Sequence, residues 1–476
     1  MKGFSTLEMM IAFAIMSVVL GGVAIADFSA QYWMVNAQTS NEALYKAKTT
    51  LEDLRATAKA NFYYATSSPA SRVLDSSCSS GGLCYYVETL VTDLSPCSKY
   101  AQAVVSWRVE RYPTTTTSLA TNLTYPAEGL NDGGDCPLNQ PSGSWSSPAS
   151  AYTADFGGTP TGLDVLDGNA YVAVGSAPYL EIVGTSGDVL NAGCTNCSGV
   201  YNALDVAHDS TTGRTYVYAA RNATTSQLEV IDVTDASSPS MLAQATFASV
   251  DPYGSYPQGW RVYYYGRKVY IVARETAGPE LHVFDVGNPD APVEVGSMEL
   301  GTSVYGLVVR DQYVGTTLHR FAYLATTRNP YELMVLDVTD PANISEVTGA
   351  RVDFPGSQTA KALYLNGTTL YVGRDSVPGG DELYALDARN PTAASGGLPI
   401  LQSADVGSGI TAIRVSGAYI FLATTGSQLL IRNTADLSSV GGFSLPGLTD
   451  TALDLNGDYI YAASGSSPRL RVLKSN

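Results

Sequence analysis

The chain has 476 residues and a formal net charge of −17. This length predicts two or three units, since an ordinary domain runs to roughly 100–200 residues. The acidic balance, without any cluster of Lys and Arg, excludes nucleic acid as an expected partner. The 45 Gly and 31 Tyr, with only 15% charged residues, indicate a β-rich protein with many tight turns.

The N-terminus carries an uninterrupted apolar run from Met9 to Ala26, preceded by Glu8. Counted from Phe4, the stretch is long enough to cross a bilayer as a helix, and Lys2 favours a cytoplasmic N-terminus. A secretory signal peptide is a poor fit, because the charged region is minimal and no A-x-A-like cleavage site follows. A carboxylate at position 8, at the edge of the membrane core, is costly unless it is paired.

Gly3, Phe4 and Glu8, followed by the apolar run, resemble the type IV pilins and the related pseudopilins of type II secretion. The resemblance implies that residues 1–3 are a prepilin leader, that a prepilin peptidase cleaves after Gly3, and that the Phe4 amine is then methylated. It also implies that Glu8 offsets the Phe4 ammonium of a neighbouring subunit during assembly. A plain signal anchor with an incidental Glu is the alternative.

We expect a transmembrane and assembly helix over residues 4–60. Beyond the apolar run, apolar residues recur at three- and four-residue steps and predict one buried stripe: Leu44, Ala47, Leu51, Leu54 and Ala58. Gly21-Gly22 is the one weak point for a continuous helix.

Residues 61–146 predict a pilin-like β-subdomain and a linker. The segments 84–91 and 101–110 are typical of strands, and the second alternates clearly. The Val-Val-Ser-Trp segment at 104–107, with 118–121 after it, is similar to the strand pattern of minor pilins. We interpret residues 129–148, rich in Gly, Asp, Pro and Ser, as the linker.

The six cysteines indicate disulfides in an exported protein: Cys78, Cys84, Cys97, Cys136, Cys194 and Cys197. Six cysteines allow fifteen pairings. Cys78–Cys84, Cys97–Cys136 and Cys194–Cys197 are the expected pairs. A redox-active pair or half of a zinc site stays open for the C-x-x-C at 194–197.

Residues 147–476 repeat with a period of about 40–50 residues, which predicts an all-β propeller with seven blades. A recurring strand starts at Leu180, Leu228, Leu281, Leu333, Leu383, Leu429 and Leu470, with an aromatic before each in a second strand. Asp167-Gly168, Asn366-Gly367 and Asn456-Gly457 suit two-residue hairpins between the first and second strands. Six or eight blades stay open as alternatives.

The last repeat ends after its third strand. We expect residues 151–156 to supply the missing outer strand and close the ring. The L-x-V-x-D-V-T-D form at 228–239, 281–292 and 333–344 is similar to the LVIVD repeats of bacterial surface proteins. The expected architecture is therefore an α+β pilin-like module, with a long helix and a small β-sheet, followed by the propeller.

We find no catalytic constellation, and expect no enzyme, metal or cofactor. His208, His282 and His319 share no motif, and no G-x-S-x-G, Walker loop or H-E-x-x-H occurs. The recurring Asp232, Asp285, Asp337 and Asp387 precede turns and favour Asx turns over a metal or acid/base ring.

One aromatic stretch before the third blade is the predicted ligand surface: Tyr253, Tyr256 and Trp260. Exposed aromatics stack on sugars or anchor a protein partner. The alternative is that Trp260–Tyr265 forms the inner strand of that blade.

The predicted function is a minor pilin of a type IV pilus that displays the propeller for adhesion or partner binding, with a tip subunit as one form of it. A pseudopilin that contacts cargo or the secretion gate is the second hypothesis, and a membrane-tethered propeller enzyme is the third. The expected partners are other pilin subunits, the prepilin peptidase, the inner membrane before assembly, and an extracellular ligand. The expected location is the inner membrane as a precursor, and afterwards the bacterial cell surface or a periplasm-spanning pseudopilus.

Overall fold

The computed structural model describes residues 6–60, 65, 67–72, 84–95, 98–108, 114–124, 143–191, 193–209, 212–248, 257–275, 277–314, 317–393, 396–446, 453–456 and 458–476. The chain divides into two compact units. The first comprises Met1–Thr92 and Ser98–Thr124, and the second comprises Asp93–Cys97 and Tyr125–Asn476.

The first unit begins with one long helix, α1 (Thr6–Ala60), which runs without interruption through Gly21 and Gly22. Its second half buries a stripe formed by Ala43, Ala47, Leu51 and Ala58. The prediction of Leu44 in this stripe is wrong, because that side chain is 43% exposed. Steps of four residues from position 43 keep one face of a helix, whereas position 44 lies about 100° around the axis. Over the described residues, no helix has an apolar stretch that meets the requirement for crossing a membrane.

A four-stranded sheet completes the first unit, in the order β1 (Ser68–Arg72), β2 (Tyr85–Ser95), β3 (Ser98–Trp107) and β4 (Thr115–Thr124). The strands expected at 84–91 and 101–110 are confirmed as β2 and β3. Tyr85 joins this sheet to α1, since its hydroxyl donates to the Thr39 carbonyl at 3.3 Å and contacts the Glu42 carboxylate at 3.1 Å. Its ring lies 6.0 Å from that of the buried Trp107.

The second unit is a β-propeller, with seven sheets over its described residues. Blade 1 is β6 (Pro160–Leu166), β7 (Asn169–Val174) and β8 (Leu180–Val183). Blade 2 is β9 (Tyr201–Asp209), β10 (Arg214–Arg221), β11 (Leu228–Asp232) and β12 (Ser240–Ala245). Blade 3 is β13 (Gly259–Tyr265), β14 (Lys268–Ala273), β15 (Leu281–Asp285) and β16 (Val293–Met298). Blade 4 is β17 (Val304–Val314), β18 (Thr317–Thr326), β19 (Leu333–Asp337) and β20 (Ser345–Glu346).

Blade 5 is β21 (Ala360–Asn366), β22 (Thr369–Arg374), β23 (Leu383–Asp387) and β24 (Ile400–Ala404). Blade 6 is β25 (Ile410–Ser416), β26 (Tyr419–Thr424), β27 (Gln428–Asn433) and β28 (Ser439–Ser444). Blade 7 is β29 (Leu453–Asn456), β30 (Tyr459–Ala463), β31 (Leu470–Lys474) and β5 (Ala149–Ala154). Three short 3-10 helices lie within blades 4 and 5. Pro341–Asn343 and Thr348–Ala350 flank β20, and Pro391–Ala393 lies between β23 and β24.

The ring closes in the predicted way, because β5 from the start of the unit pairs antiparallel with β31 at its end. The closing strand begins and ends two residues earlier than the predicted 151–156. Leu470 lies opposite Ala154, and Lys474 lies opposite Ala149. Residues just before β5 strengthen this closure. Ser144 and Asn476 exchange backbone hydrogen bonds at 3.1 Å, and Trp145 is fully buried against Phe421 with ring centroids 4.8 Å apart. Pairing the two ends in one blade covers the edge of β31 that would otherwise be open where the ring begins and ends.

Each blade packs between two others, so its second strand is buried on both faces instead of alternating. The aromatic residues expected in these strands are buried in every blade: Tyr171, Tyr216, Tyr270, Tyr323, Tyr371, Phe421 and Tyr461. The inner strands contact one another in sequence from β6 to β29, and β29 contacts β6. This closed ring of inner strands surrounds a central channel.

The hairpin turns follow the predicted chemistry in part. Asp167 and Gly168 have φ of 52° and 80° and form the two-residue turn of blade 1, as predicted. The prediction for Asn366-Gly367 is shifted by one residue, because Asn366 pairs with Thr369 and remains in strand β21. The prediction for Asn456-Gly457 is shifted in the same way, because Asn456 pairs with Tyr459 and remains in strand β29; Gly457 lies outside the described residues.

Candidate binding site

Two cavities of about 150 Å³ each follow one another along the central channel. The entrance cavity lies at the starts of six inner strands, and its polar lining is Thr161, Arg261, Tyr305, Lys361, Thr411 and Arg414. The inner cavity lies further along the same strands, and its polar lining is Asp164, Asp205, Tyr263, Arg310, Tyr364 and Arg414.

The carboxylates of the inner cavity hold blades together. Asp164 of blade 1 accepts a hydrogen bond from the Val206 N–H of blade 2 at 2.6 Å. Asp205 of blade 2 accepts from the Tyr264 N–H of blade 3 at 2.7 Å. The same position in successive inner strands therefore bonds to the backbone of the next blade, which satisfies buried donors between strands that are not paired.

The entrance cavity is lined by cations from three blades. Arg261 donates from Nε to the Tyr305 carbonyl at 3.2 Å, which joins blade 3 to blade 4. Lys361 Nζ lies 3.0 Å from the Asp375 carboxylate and 5.3 Å from the centre of the Tyr305 ring. Arg414 donates to the Ile413 carbonyl at 3.0 Å. Among the described lining residues of this cavity there is no carboxylate.

Trp260 lies beside this cavity, in strand β13, as the alternative interpretation of the aromatic stretch predicted. The guanidinium carbons of Arg274 and Arg261 lie 3.6 Å and 4.8 Å from the centre of the Trp260 ring. The Tyr305 ring packs edge-on against it, with the ring centres 6.2 Å apart. The guanidinium groups cover the ring, so Trp260 contributes to a cation–π cluster. Tyr253 and Tyr256 lie outside the described residues.

A buried arginine continues the positive lining inward. Arg310 is 7% exposed and donates to the Tyr263 hydroxyl, and its guanidinium lies 5.4 Å and 5.2 Å from the Tyr263 and Tyr265 rings. Nearby, Arg320 forms a two-pronged pair with Asp311 at 2.6 and 2.9 Å. Burial lowers the pKa of Arg320, but the bonds to Asp311 outweigh it and raise that pKa, so the guanidinium stays charged.

The recurring aspartates form Asx turns, as predicted. Asp232, Asp285, Asp337 and Asp387 each accept a hydrogen bond from the N–H two residues later, at 2.8–3.0 Å. Burial raises the pKa of Asp337, but hydrogen bonds from Thr339 and from His319 outweigh this and lower it. These carboxylates are thus engaged in turns instead of facing a common site.

The histidines occupy separate blades. His282 is fully buried and stacks on Phe247 at 3.6 Å, with Nδ1 at 2.7 Å from Glu294 and Nε2 at 2.9 Å from the Pro279 carbonyl. His319 lies 2.8 Å from Asp337, and His208 lies 3.2 Å from Thr215. Where the structure describes the chain, no group of three His, Cys, Asp or Glu residues has the geometry of a metal site.

A set of buried polar residues escaped the sequence analysis. Directly before the third strand of four blades lie Gln227, Glu280, Glu332 and Glu382, each at most 1% exposed. Their side chains accept backbone hydrogen bonds from the segment that leaves the fourth strand, namely from Phe247, Leu300, Phe354 and Val406. In the sequence, a Glu or Gln recurs directly before the leucine that begins the third strand of these blades. This pattern does not by itself predict burial, because a charged residue at the start of a strand is usually solvated.

The processing and assembly residues are mostly beyond what the structure describes. Gly3 and Phe4 lie outside the described residues, and Glu8 lies in α1 with its side chain outside that set. Cys194–Cys197 is a disulfide, as predicted. Cys84 is also disulfide-bonded, whereas Cys78, Cys97 and Cys136 lie outside the described residues.

Comparison with family models and with curated proteins gives no match. Two of the solved structures that resemble the chain are β-propeller domains by description. The β-propeller domain of Cps50 (Swd1) from Myceliophteria thermophila is 13% identical, with 69% of this chain and 100% of that one covered and a TM-score of 0.48. The WD40 propeller domain of Doa1 is 11% identical, with 70% and 98% covered and a TM-score of 0.46. The computationally designed Ika8 protein is 12% identical, with 71% and 100% covered and a TM-score of 0.43.

Proposed function

We propose that this chain is a minor, tip-located subunit of a type IV pilus. In this proposal α1 and the four-stranded sheet form a pilin-like module that assembles with other subunits. The propeller, built from LVIVD-like repeats, is displayed for adhesion or for binding a partner. No catalytic step is assigned to it.

The observation that carries the proposal is the apolar surface of the first half of α1. Met10, Phe13, Ile15, Met16 and Val18 are each between 57% and 75% exposed. Successive helical residues point about 100° apart, so these five positions are spread around the whole circumference of the helix. A helix that is apolar all round is normally buried in a protein core or a membrane.

The second half of the same helix is built differently. Ala47 and Leu51 are buried, while Glu52 and Arg55 form an exposed pair at 2.6 Å. One helix thus combines an amphipathic segment under a sheet with a segment that needs apolar surroundings. Neighbouring helices in a filament core, or the inner membrane before assembly, supply those surroundings. The N-terminal pattern of Gly3, Phe4 and Glu8 favours the filament.

The test is a Glu8→Ala substitution in the native host. We expect the variant to accumulate in the membrane fraction and to be missing from fibres sheared off the cells, because the carboxylate no longer offsets the Phe4 ammonium of a neighbouring subunit. Glu52→Ala is the matched control, since it removes an exposed carboxylate from the same helix, and it should enter the fibres normally.

Normal incorporation of the Glu8→Ala variant would contradict the proposal. A wild-type chain that is missing from sheared fibres but cross-links to itself through α1 in the periplasm would support a secretion pseudopilus instead.

A further inference from the structure

Residues 193–198 lie along the outer edge of blade 2. Strand β12 ends the sheet of that blade and pairs with β11 on one side. On its other side the Thr195 N–H donates to the Pro239 carbonyl at 2.9 Å, and the Met241 N–H donates to the Thr195 carbonyl at 2.9 Å. Thr195 thus bridges to Ser240 in parallel and covers part of the edge of the sheet.

A disulfide closes this segment into a ring. Cys194 and Cys197 are bonded to each other on either side of Thr195 and Asn196. Both cysteines pack against a buried apolar cluster formed by strands of blades 1 and 2. Asn196 has a φ of 62°, in the left-handed region that an L-residue adopts rarely. The ring therefore fixes the backbone of Thr195 in position against β12.

We infer that residues 193–198 form a redox-sensitive clasp, which covers the outer edge of blade 2 while its disulfide is intact and releases that edge when a protein or small-molecule dithiol reduces the bond. One thiolate of the dithiol attacks a cysteine sulfur, the Cys194–Cys197 bond breaks, and a mixed disulfide forms. The second thiol of the reductant then displaces the bound cysteine. The reductant ends as a disulfide, and its two electrons and two protons reside on the Cys194 and Cys197 thiols. The inference does not depend on the proposed function.

The clasp is open to solvent on the side away from the propeller. Thr195 and Asn196 are exposed, and the two cysteines are half-buried. A dithiol can therefore approach the disulfide without any opening of the blades. Exposed disulfides are among those that take part in thiol exchange, whereas deeply buried structural ones resist reduction.

Reduction weakens the hold of the clasp on β12. Two backbone hydrogen bonds join Thr195 to this edge, and the ring keeps Asn196 in its left-handed conformation beside it. Closing a loop of four residues removes chain entropy that corresponds to a factor of roughly thirty in an equilibrium. Without the ring, the loop gains other conformations and Thr195 leaves β12 more often. The uncovered edge then presents backbone N–H and C=O groups that can pair with another chain.

The neighbouring edge of blade 1 is covered without a disulfide. The Asn191 side chain is buried, accepts a hydrogen bond from the Ile182 N–H at 2.8 Å and donates to the Leu180 carbonyl at 2.9 Å. These bonds replace those of a neighbouring strand and do not depend on the ring. The Ile182 amide is therefore an internal reference for the Met241 amide.

The experiment measures hydrogen exchange at single amides of the full chain in detergent, by mass spectrometry with electron-transfer fragmentation. It compares the oxidised wild type, the wild type treated with dithiothreitol, and the double variant Cys194→Ser/Cys197→Ser. We expect the Met241 amide to exchange at least tenfold faster in the reduced protein and in the double variant. The Ile182 amide should change less than twofold, because amides at a sheet edge exchange through local opening.

Asn196→Gly is the matched control. It changes the same exposed turn, keeps the disulfide and accepts the positive φ, so the Met241 amide should exchange within twofold of the wild-type rate. Dithiothreitol also reduces the disulfide of Cys84, so the double variant assigns the effect to the clasp. Circular dichroism checks that each protein is folded, and the reduced wild type decides if the double variant is not.

Three results would overturn the inference. The first is unchanged exchange at Met241 once the disulfide is absent, and the second is an equal rise at Ile182, which would indicate general loosening of the propeller. The third is a failure of iodoacetamide to alkylate Cys194 and Cys197 in folded protein treated with dithiothreitol. None of these measurements requires filaments, so they succeed or fail independently of the Glu8→Ala result.

Discussion

Glu332 allows the strongest test of how the blades are held together. Its side chain is 1% exposed, accepts a hydrogen bond from the Phe354 N–H at 3.0 Å, and lies 3.7 Å from the fully buried Arg374 guanidinium. Glu332→Ala would leave both a buried N–H and a buried cation without the carboxylate. Removing one member of a buried pair costs about 3–5 kcal/mol. We expect the free energy of unfolding to fall by that amount.

Glu332→Gln should be milder. Burial raises the pKa of Glu332 by more than the hydrogen bond from the Phe354 N–H and the attraction of Arg374 lower it. An amide oxygen preserves the bond, as Gln227 does for the Phe247 N–H at 3.1 Å in blade 2. The loss should therefore be smaller than that of Glu332→Ala by about 1 kcal/mol, the net worth of an ordinary hydrogen bond.

The pH dependence gives a second signature of Glu332. A carboxyl whose folded pKa lies above its unfolded value of about 4.5 destabilises the fold at neutral pH. This cost disappears as the pH falls through the folded pKa. Because a Gln side chain does not titrate, the free energy of unfolding of the Glu332→Gln variant should lack this gain at acid pH.

The measurement is urea unfolding followed by tryptophan fluorescence, with the exposed Glu275→Ala as control. That control should change the free energy of unfolding by no more than about 0.5 kcal/mol. Two results would contradict this role of Glu332. One is a Glu332→Ala variant whose free energy of unfolding falls no more than that of the Glu275→Ala control, and the other is an equal fall in Glu332→Gln and Glu332→Ala.

Three further predictions concern the propeller. Asp337→Ala should lower the free energy of unfolding by about 1 kcal/mol, measured by urea titration, because the Asx-turn bond is lost; Asp337→Asn should cost less. Since the folded pKa of Asp337 is depressed, its contribution is present at neutral pH and should fade as the pH falls below about 4, and a contribution unchanged at acid pH would refute this. Replacing Cys194 and Cys197 by Ser should cost about 2 kcal/mol by loop entropy, and a fully retained melting temperature would contradict it. Trp145→Ala should cost about 3–5 kcal/mol through the cavity left beside Phe421, and an unchanged urea midpoint would show that residues before β5 do not support ring closure.

The sequence was sufficient to predict the repeating strands and ring closure, because these depend on local patterns. The leucine at or next to the start of the third strand and the aromatic of the second strand recur in every blade, and both are buried. The turn at Asp167-Gly168 follows from the positive φ that both residues accept. Of the predicted stripe of α1, Ala47, Leu51 and Ala58 are buried, Leu54 is half-buried and Leu44 is exposed. A shift of one residue moves a side chain about 100° around the helix axis.

The cationic entrance could not be predicted, because its members come from blades far apart in sequence. Arg261, Lys361 and Arg414 share no motif, and they meet only because closure of the ring sets the register of their inner strands. The buried glutamates escaped for another reason. Their partners are backbone N–H groups about twenty residues away, which leave no mark in the sequence. Trp260 was noticed as an aromatic, but the covering guanidinium of Arg274 comes from the end of the next strand.

A filament subunit that has been processed carries a distinctive N-terminus. Mass spectrometry of the N-terminal peptide, from protein purified from its native host, reads it directly. We expect a mature chain that begins at Phe4, with one added methyl group on its amine. A chain that still begins at Met1, or one cleaved after the apolar run that ends at Ala26, would contradict it.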